Sequence, residues 1–307
     1  MSRTYEAKAR RLVLVLGDQL NADSAAFDDF DNNEDAVLMV EARHEAEYVP
    51  QHKSRLVLFF SAMRHFRDEL KERGMRVHYA ELEDKNNRGE LGEELERWIN
   101  KTRPESVAVV QPGDHRVLTS LKKQAKRAGC ELKVNGDRHF LCGLDEFEDF
   151  AEGKKSLLME HFYRRMRKQT GTLMKNGSPL GEKWNFDAKN RESFGKSGPP
   201  KIKAPRSFRP DDLTKKVARM VNRVFPDAPG KLDGFDYPVT AAQAKDALRD
   251  FVRHRLECFG TYQDAMVTGE PYLYHSRLSS SLNLHLLDPR DVIDAAVSAY
   301  EDKKAPL

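Results

Sequence analysis

Two polar stretches near the start of the chain could together bind a flat ligand rich in heteroatoms. The first is Gly17-Asp18-Gln19, which ends an apolar run. Its glycine permits a close backbone approach, and its aspartate can accept hydrogen bonds from a ring N–H or a hydroxyl. The second stretch adds carboxylates, an aromatic face and nitrogen donors: Glu41, Glu45, Tyr48, His52 and Lys53. The alternative is an ordinary polar loop with helix-capping duties.

A third stretch, residues 159–168, places aromatic side chains beside basic ones. Such a mixture can hold a phosphate backbone and stack on a base, which suggests a nucleic-acid contact. The candidate contacts are Arg164, Arg165, Arg167 and Lys168. Alternatively Phe162 and Met166, four positions apart, pack inward. Trp184-Asn185-Phe186-Asp187 lies in a loop-like tract, where a tryptophan usually anchors the loop to a core.

A fourth stretch combines residues 259–266 with the hydroxyl-rich segment 275–283. Clustered hydroxyls at the start of a helix can contact phosphate through side chains, free N–H groups and the helix dipole. The alternative is a serine-rich N-cap without a ligand. The chain contains neither a G-x-G-x-x-G motif nor a Walker loop, which disfavours a Rossmann dehydrogenase or a phosphate-loop enzyme.

Length and composition predict a soluble protein of about two domains. The chain has 307 residues, of which 33% are charged, and no apolar run approaches the length of a membrane span. Residues 1–10 are polar and basic, unlike a signal peptide. Cys130, Cys142 and Cys258 show neither metal-ligand spacing nor a disulfide framework. We therefore expect free, buried thiols in the reducing cytoplasm.

The net charge of +3 conceals a strong asymmetry. Residues 151–217 contain 17 Lys and Arg against 7 Asp and Glu, a net charge of +10, whereas the remaining residues sum to −7. A basic segment in an otherwise acidic protein suggests an anionic partner, nucleic acid first. The alternative is a solvated connector without a partner.

Strand and helix patterns alternate in the first part of the chain. We predict strands at 12–16, 36–40, 76–79, 106–110 and 131–134, with helices at 53–73, 89–100 and 115–128. This alternation with short turns predicts a doubly wound, parallel α/β sheet. In such sheets ligands bind at the carboxyl ends of the strands, where Asp18 and Glu41 are expected.

The pattern changes after the sheet. Residues 155–168 are predicted to form a basic helix, and residues 171–210 a long loop. Helices are then expected at 214–225, 240–258, 259–266, 275–287 and 289–301. We predict an α/β domain over residues 1–142, a basic connector over 143–213 and a helical domain over 214–307.

The ordered set of motifs resembles the photolyase/cryptochrome family, and more narrowly its bacterial iron–sulfur branch, which includes prokaryotic (6-4) photolyases. The resemblance extends from Arg11 to Leu307. It depends on Leu-Gly-Asp-Gln-Leu (16–20), Glu45-Ala46-Glu47-Tyr48-Val49, Phe60-Ser61-Ala62-Met63-Arg64-His65-Phe66, Trp184-Asn185-Phe186-Asp187, Phe225-Pro226-Asp227, and Gln263-Asp264-Ala265-Met266 with His275-Ser276.

The resemblance implies an antenna domain followed by the first part of an all-helical FAD-binding domain. The antenna chromophore would be 6,7-dimethyl-8-ribityllumazine, bound by Gly17, Asp18, Gln19, Glu41, Glu45, Tyr48, His52 and Lys53. The family motif Thr-Ser-x-Leu-Ser-Pro-Tyr-Leu has its counterpart in residues 275–282, where Ser280 and Ser281 replace Pro-Tyr. The implied FAD contacts are Phe259, Tyr262, His275, Ser276, Leu278 and Ser279.

Family members continue well past Leu307, so the chain is expected to be truncated. The absent part would carry the catalytic residues and four cysteines for a [4Fe–4S] cluster; none of the cysteines here fits that motif. The resemblance implies a cytoplasmic, monomeric enzyme that uses light and reduced FAD to repair UV-damaged DNA, with (6-4) photoproducts as the expected lesion. The alternatives are a cryptochrome-type photoreceptor and, for this chain alone, a non-catalytic chromophore-binding module.

Overall fold

A computed structural model describes residues 8–186 and 190–307, and the chain divides into two compact units. The first unit contains the residues up to Arg138 together with two later segments, Phe208–Thr240 and Asn283–Leu286. The second unit contains the segments His139–Ser207, Ala241–Leu282 and Leu287–Leu307. The units therefore do not follow the predicted domain boundaries at 142 and 213, because each is assembled from separate segments.

A five-stranded parallel sheet forms the centre of the first unit. The strands are β1 (Arg11–Val15), β2 (Ala36–Val40), β3 (Val77–Ala80), β4 (Ser106–Val110) and β5 (Glu131–Asn135). Their order is β3-β2-β1-β4-β5, and every pair is parallel. The predicted doubly wound parallel sheet is confirmed. The chain winds one way from β1 to β3 and the other way from β4 to β5, so the topological switch point lies between β1 and β4.

Helices cover both faces of the sheet. They are α1 (Arg43–Glu47), α2 (Lys53–Glu72), α3 (Leu91–Thr102), α4 (His115–Arg127) and α7 (Asp212–Val224), with a short 3₁₀ turn at Ala25–Phe27. Leu12 and Leu14 of β1 share one core with Leu95 of α3 and Leu121 of α4. Because side chains alternate along a strand, Val13 points to the opposite face, the side of α2 and α7. Coverage of both faces explains the nearly unbroken apolar sequence of β1, β2 and β4.

Local sequence explains the long helix α2. His52 caps its first turn by accepting a hydrogen bond from the Ser54 N–H at 3.1 Å, and Gly74, with a φ of +81°, follows its last turn. Its apolar residues recur at three- and four-residue spacings and are mostly buried. None of the helices in residues 8–186 and 190–307 has both the length and the apolar character needed to cross a membrane.

Helix α7 belongs to the first unit, whereas the sequence suggested that it begins the helical domain. Its apolar stripe, which includes Val217 and Met220, packs on α2. The following loop continues this contact, since Phe225 stacks on Phe60 with 6.4 Å between ring centroids. An amphipathic helix must bury its apolar face, but its sequence does not reveal against which partner.

The second unit is mainly helical. Its elements are α5 (Leu144–Ala151), α6 (Met159–Thr170), the short strands β6 (Met174–Lys175) and β7 (Ser178–Pro179), a 3₁₀ turn (Leu180–Glu182), α8 (Ala241–His254), α9 (Leu256–Phe259), α10 (Ser279–Asn283) and α11 (Pro289–Glu301). The last residue of α10, Asn283, is assigned to the first unit. Phe162 of α6 packs against Phe147 and Phe150 of α5, at centroid distances of 5.4 and 5.2 Å.

Two predicted helices of the second unit are largely absent. Residues 260–264 form turns, and Tyr262 stacks on Phe194 at 4.4 Å with Tyr274 packed beside both rings. The predicted helix 275–287 is reduced to α10, because Arg277 and His285 adopt left-handed backbone angles on either side of it. The predicted helix 240–258 is interrupted at Arg255. These interruptions come from long-range packing and local backbone geometry, which hydrophobic periodicity does not report.

Candidate functional site

A cavity of about 330 Å³ opens at the carboxyl edge of the parallel sheet. It lies at the switch point of the sheet, where the loops after β1, β2 and β4 meet the first half of α2. All of its lining residues belong to the first unit. They are Leu16, Gly17, Asp18, Val40, Ala42, Glu45, Ala46, Tyr48, Val49, Gln51, Arg55, Leu56, Phe59, Phe60, Met63, Leu91, Pro112, Gly113, Asp114, Arg116 and Val117.

One wall of the cavity is apolar. Helix α2 contributes Leu56, Phe59, Phe60 and Met63 to it. Phe60 is held from behind by its stacking on Phe225, so this wall is part of the packed core. A broad apolar surface of this kind suits the face of a planar ring.

The rim of the cavity carries paired charges. The guanidinium of Arg116 donates to both carboxylate oxygens of Glu45, at 2.9 and 2.7 Å, and to Asp114 at 3.1 Å. It also lies 4.2 Å from the centroid of the Tyr48 ring. The Glu45 and Asp114 carboxylates raise the pKa of Arg116, with the hydrogen bond to Glu45 as the largest cause. This cluster links α1 and its C-cap residue Tyr48 to the first turn of α4.

Asp18 offers a carboxyl group that holds its proton more strongly than usual. Its pKa is raised above the ordinary 3.8, chiefly because surrounding protein atoms displace water, and further by the carboxylates of Asp137 and Glu45. The residue is nevertheless exposed to solvent. Its carboxyl can accept a hydrogen bond when ionised and can also donate one when protonated.

We expect Asp18→Asn to raise the free energy of unfolding at neutral pH. The raised pKa means that ionised Asp18 disfavours the folded state, and asparagine removes that cost. As pH falls, Asp18 binds its proton at a higher pH in the folded state than in the unfolded state. The stability advantage of the variant should therefore shrink and approach zero near pH 3.8, the ordinary pKa. Solvent screening keeps the gain small. Urea unfolding of both proteins from pH 4 to pH 8 measures it; an advantage that grows as pH falls would contradict this assignment.

Four of the eight predicted antenna residues lie in the cavity lining, namely Gly17, Asp18, Glu45 and Tyr48. The other four, Gln19, Glu41, His52 and Lys53, are not part of the cavity lining. Gln19 donates to the carbonyl of Gln111 at 3.1 Å, thereby linking the ends of β1 and β4. His52 caps α2, and the backbone N–H of Lys53 donates to the Pro229 carbonyl at 2.8 Å.

Glu41 is the clearest departure from the sequence prediction. Its side chain is fully buried and accepts hydrogen bonds from Arg64 at 2.7 and 2.9 Å, from the Tyr79 hydroxyl at 2.7 Å and from the Leu82 N–H at 2.8 Å. Burial, followed by the nearby Glu41 carboxylate, raises the pKa of Tyr79 well above its usual range, so Tyr79 remains a donor. Glu41 is therefore a structural anchor outside the cavity lining.

Sequence reasoning missed the loop after β4. This loop brings Pro112, Gly113, Asp114 and Arg116 to the cavity. The rule that identified Asp18 applies here as well, because residues 111–114 form a polar, glycine-containing loop segment directly after a buried strand. The sequence did not indicate the apolar wall, because the spacing of Phe59, Phe60 and Met63 predicts only a core-facing stripe on α2.

Three of the four predicted DNA contacts share a shallow basic depression on α6. Arg164, Arg165 and Lys168 line it together with His161 and Gln169. Arg164 and Lys168 also lie 5.4 and 5.6 Å from the Trp184 ring, whose predicted anchoring role agrees with this packing. Asp187 of the same motif lies outside the described residues.

Arg167 points inward instead. It is 7% exposed and donates to the carbonyls of Thr172 at 3.2 Å and of Leu173 at 2.5 Å. A buried guanidinium that satisfies loop carbonyls is not free to contact phosphate. We therefore assign Arg167 to the support of the loop that follows α6.

The residues expected to contact FAD lie in the second unit, and several pack against protein. Phe259 makes an edge-to-face contact with Phe251 at 5.4 Å, Tyr262 stacks on Phe194 at 4.4 Å, and Leu278 is 2% exposed. His275 and Ser276 are half-buried, and Ser279 is exposed. The hydroxyls of Ser280 and Ser281 are buried without a hydrogen-bond partner among the described residues. A flavin role for this segment stays a prediction.

The cysteines are free and partly buried rather than fully buried. Desolvation raises the pKa of the Cys130 and Cys142 thiols. The described part of the chain contains no group of three His, Cys, Asp or Glu side chains arranged to hold a metal ion.

Comparison with known proteins identifies related sequences over nearly the whole chain. A sequence model of the family described as deoxyribodipyrimidine photo-lyase-related protein matches residues 13–237. A protein of Agrobacterium fabrum named (6-4) photolyase is 42% identical over 299 residues, which cover 97% of this chain and 58% of that protein.

A solved structure shares the fold. The crystal structure of a bacterial class III photolyase from Agrobacterium tumefaciens aligns with a TM-score of 0.55 at 15% sequence identity, covering 98% of this chain and 58% of the other. This chain therefore spans less than two thirds of the length of the relatives that it matches.

Proposed function

Because the chain belongs to the family of deoxyribodipyrimidine photolyase-related proteins, we propose that it serves light-driven repair of UV-damaged DNA and that its cavity binds an antenna chromophore. The observation that carries this proposal is the cavity at the switch point of the sheet. It combines an apolar wall from α2 with a rim of hydrogen-bonding groups, Asp18, Glu45 and Arg116. A planar heteroaromatic ring needs both.

The chromophore that we propose for this site is 6,7-dimethyl-8-ribityllumazine, which would supply blue-light absorption when bound. Phe59 and Phe60 present an apolar surface to a bicyclic ring, and Asp18 accepts from or donates to heteroatoms at the ring edge. The Arg116 guanidinium, 4.2 Å from the ring centroid, holds Tyr48 in the cavity lining. The volume of about 330 Å³ is within the range of sites for ligands of this size.

Reconstitution tests the antenna assignment. The purified full chain is dialysed against 6,7-dimethyl-8-ribityllumazine, riboflavin or FAD, and the retained ligand is identified by its absorption spectrum. We expect saturable, one-to-one retention of the lumazine. If the lumazine is not retained above an unrelated protein of similar size, the proposal for this cavity is wrong.

The helical unit is proposed to hold part of an FAD site, with Phe259, Tyr262, His275, Ser276, Leu278 and Ser279 as its contributors. When bound, the FAD would supply the electron for repair, and these residues would bind and orient it. The expected lesion is the pyrimidine (6-4) pyrimidone photoproduct, because the relative with 42% identity is named (6-4) photolyase. Blue-light turnover of an oligonucleotide carrying this lesion tests the activity, and a cyclobutane dimer substrate tests the choice of lesion.

The basic depression on α6 is proposed to bind DNA phosphates, so affinity should weaken steeply with salt. Each neutralised phosphate releases counterions and contributes about 0.9 to the slope of log K against log salt. We expect the triple substitution Arg164→Gln, Arg165→Gln, Lys168→Gln to flatten this slope. The control is Lys122→Gln with Lys123→Gln, two exposed lysines of α4. Fluorescence anisotropy at several salt concentrations measures the slope for each variant. If the triple variant and its control have equal slopes, α6 is not the DNA-binding element.

One alternative is favoured by a specific observation. Every residue that lines the cavity belongs to the first compact unit. A chromophore-binding module without repair activity needs only this unit, and lumazine retention without light-dependent lesion turnover would support it. A cryptochrome-type photoreceptor predicts the same result together with flavin retention.

A further inference from the structure

Exposed apolar side chains are concentrated on one part of the second unit. Of the eleven large hydrophobic side chains that are exposed in the described residues, six lie between residues 144 and 163. They are Leu144, Phe147, Leu157, Leu158, Met159 and Tyr163. Single exposed apolar residues are normal on a protein surface, whereas a cluster of them marks an interaction surface. None of the six lines the proposed chromophore cavity.

These side chains form a continuous apolar strip where α5 and α6 meet. Leu144 and Phe147, 63% and 39% exposed, lie three positions apart on one side of α5. Phe147 contacts Phe162 of α6 at 5.4 Å between ring centroids. Leu158 and Met159 lie one turn before Phe162, and Met159 is 77% exposed. We call the strip formed by these five residues the α5–α6 patch.

The patch separates opposite charges. Residues 145–152, which include most of α5, contain five Asp and Glu and no Lys or Arg. Residues 161–168 of α6 contain four Lys and Arg and no Asp or Glu. The two helices lie side by side, since Gln169 near the end of α6 donates to Glu146 near the start of α5 at 3.0 Å. One edge of the patch is therefore acidic and the other is basic.

This arrangement is complementary to itself. A two-fold axis that runs along the patch would place the acidic edge of one copy against the basic edge of the other, twice over. The apolar strips would meet at the centre, and the paired charges would surround them. A partner of one charge sign would match one edge and face like charge at the other. The charge pattern therefore favours a second copy of this chain as the occupant of the patch.

We propose that the α5–α6 patch mediates two-fold self-association of this chain. This proposal replaces the monomer that the family resemblance implies. Arg164, Arg165 and Lys168, the cations proposed to bind DNA phosphates, lie at the basic edge, so the dimer covers them. Self-association and DNA binding therefore compete. That consequence rests on the proposed function, whereas the dimer itself does not.

Sedimentation velocity of the full chain at several protein concentrations tests the apolar centre. We expect a dimer that dissociates on dilution and in high salt. Met159→Glu places a charge in the buried centre and should raise the dimer dissociation constant about tenfold or more, as expected for a central contact. Its control is Met266→Glu, which alters a methionine that is 93% exposed elsewhere in the second unit and should leave that constant unchanged. A chain that stays monomeric up to about 100 µM, or equal effects of the two variants, would overturn the proposal.

Opposite charge reversals test the two-fold arrangement. One variant carries Asp145→Lys, Glu148→Lys and Asp149→Lys, which make the acidic edge basic, and the other carries Arg164→Glu, Arg165→Glu and Lys168→Glu, which make the basic edge acidic. Neither variant should form a dimer alone, because like charges then face each other, whereas an equimolar mixture should form a one-to-one heterodimer. Circular dichroism verifies that both variants fold. A mixture that stays monomeric overturns the two-fold geometry.

Competition with DNA separates this proposal from the proposed function. Adding a short DNA duplex at low salt should shift the unaltered chain from dimer to DNA-bound monomer. A chain that binds the duplex while it remains dimeric overturns the competition. A dimer that binds no DNA contradicts the proposed role of α6 in DNA binding and supports the patch as a surface for self-association.

Discussion

Replacing Gly17 by valine should abolish chromophore binding while leaving the sheet folded. A Cβ atom at this position would lie 2.9 Å from the Met63 sulfur, closer than real Cβ contacts allow, and 3.6 Å from its Cγ, an ordinary contact distance. Gly17 does not use a left-handed backbone conformation, so valine is permitted by the backbone. The flexible Met63 side chain must therefore move, and it would move into the cavity, which is the open space beside it. We expect the Kd for the lumazine to rise about 100-fold or more, or 2.7 kcal/mol.

Gly113 provides a matched control for this experiment. It lines the same cavity, but a Cβ at Gly113 would meet no atom within 4 Å. Gly113→Val should therefore bind within a fewfold of the unaltered chain. A second substitution, Met63→Ala in the Gly17→Val background, should restore much of the binding by making room. Equilibrium dialysis gives the affinities, and circular dichroism verifies the fold. Undiminished binding by Gly17→Val would show that the ligand does not occupy this cavity.

Replacing Glu41 by alanine should destabilise the first unit strongly. The substitution removes both hydrogen bonds to Arg64. Among the described residues, this largely buried guanidinium then keeps the Glu81 carboxylate, 3.8 Å away, as its ion-pair partner. Loss of one partner from a buried ion pair typically costs about 3 to 5 kcal/mol. The Tyr79 hydroxyl and the Leu82 N–H lose their acceptor as well. Arg64 and Tyr79 lie on different elements, so the loss reaches both α2 and β3.

The measurement is urea unfolding in a Trp184→Phe background, in which Trp98 of α3 reports on the first unit alone. Glu81→Ala is the control, because Glu81 also approaches Arg64 but is half-exposed, and its loss should cost less than about 1 kcal/mol. At urea concentrations that keep Glu41→Ala folded, its lumazine affinity should remain within a fewfold. If Glu41→Ala instead keeps its stability and loses lumazine binding, Glu41 is a ligand contact rather than a structural anchor.

The sequence by itself determined the sheet and the edge at which the cavity opens. Buried parallel strands have a local signature, an apolar run ending in a polar turn, and β1, β2 and β4 all carry it. Strand–helix alternation then leaves few possible topologies, so Gly17 and Asp18 could be placed at the ligand edge before any contact was known. The length of α2 could also be predicted from the sequence, because its apolar stripe and the glycine after its last turn are local features of the chain.

The tertiary structure determined which polar side chains stabilise the fold and which lie at the cavity or on the surface. Glu41 and Glu45 are the same residue type four positions apart, yet one is anchored by Arg64 and the other pairs with Arg116 at the cavity rim. Arg167 and Arg165 are two positions apart, and only Arg167 is buried against loop carbonyls. The partners of Glu41 and Glu45 come from elements far along the chain, and Arg165 and Arg167 lie on different faces of one helix. Hydrophobic periodicity indicates which side chains lie near a core. The orientation of a charged side chain depends instead on its hydrogen-bond partners, which only the folded chain brings together.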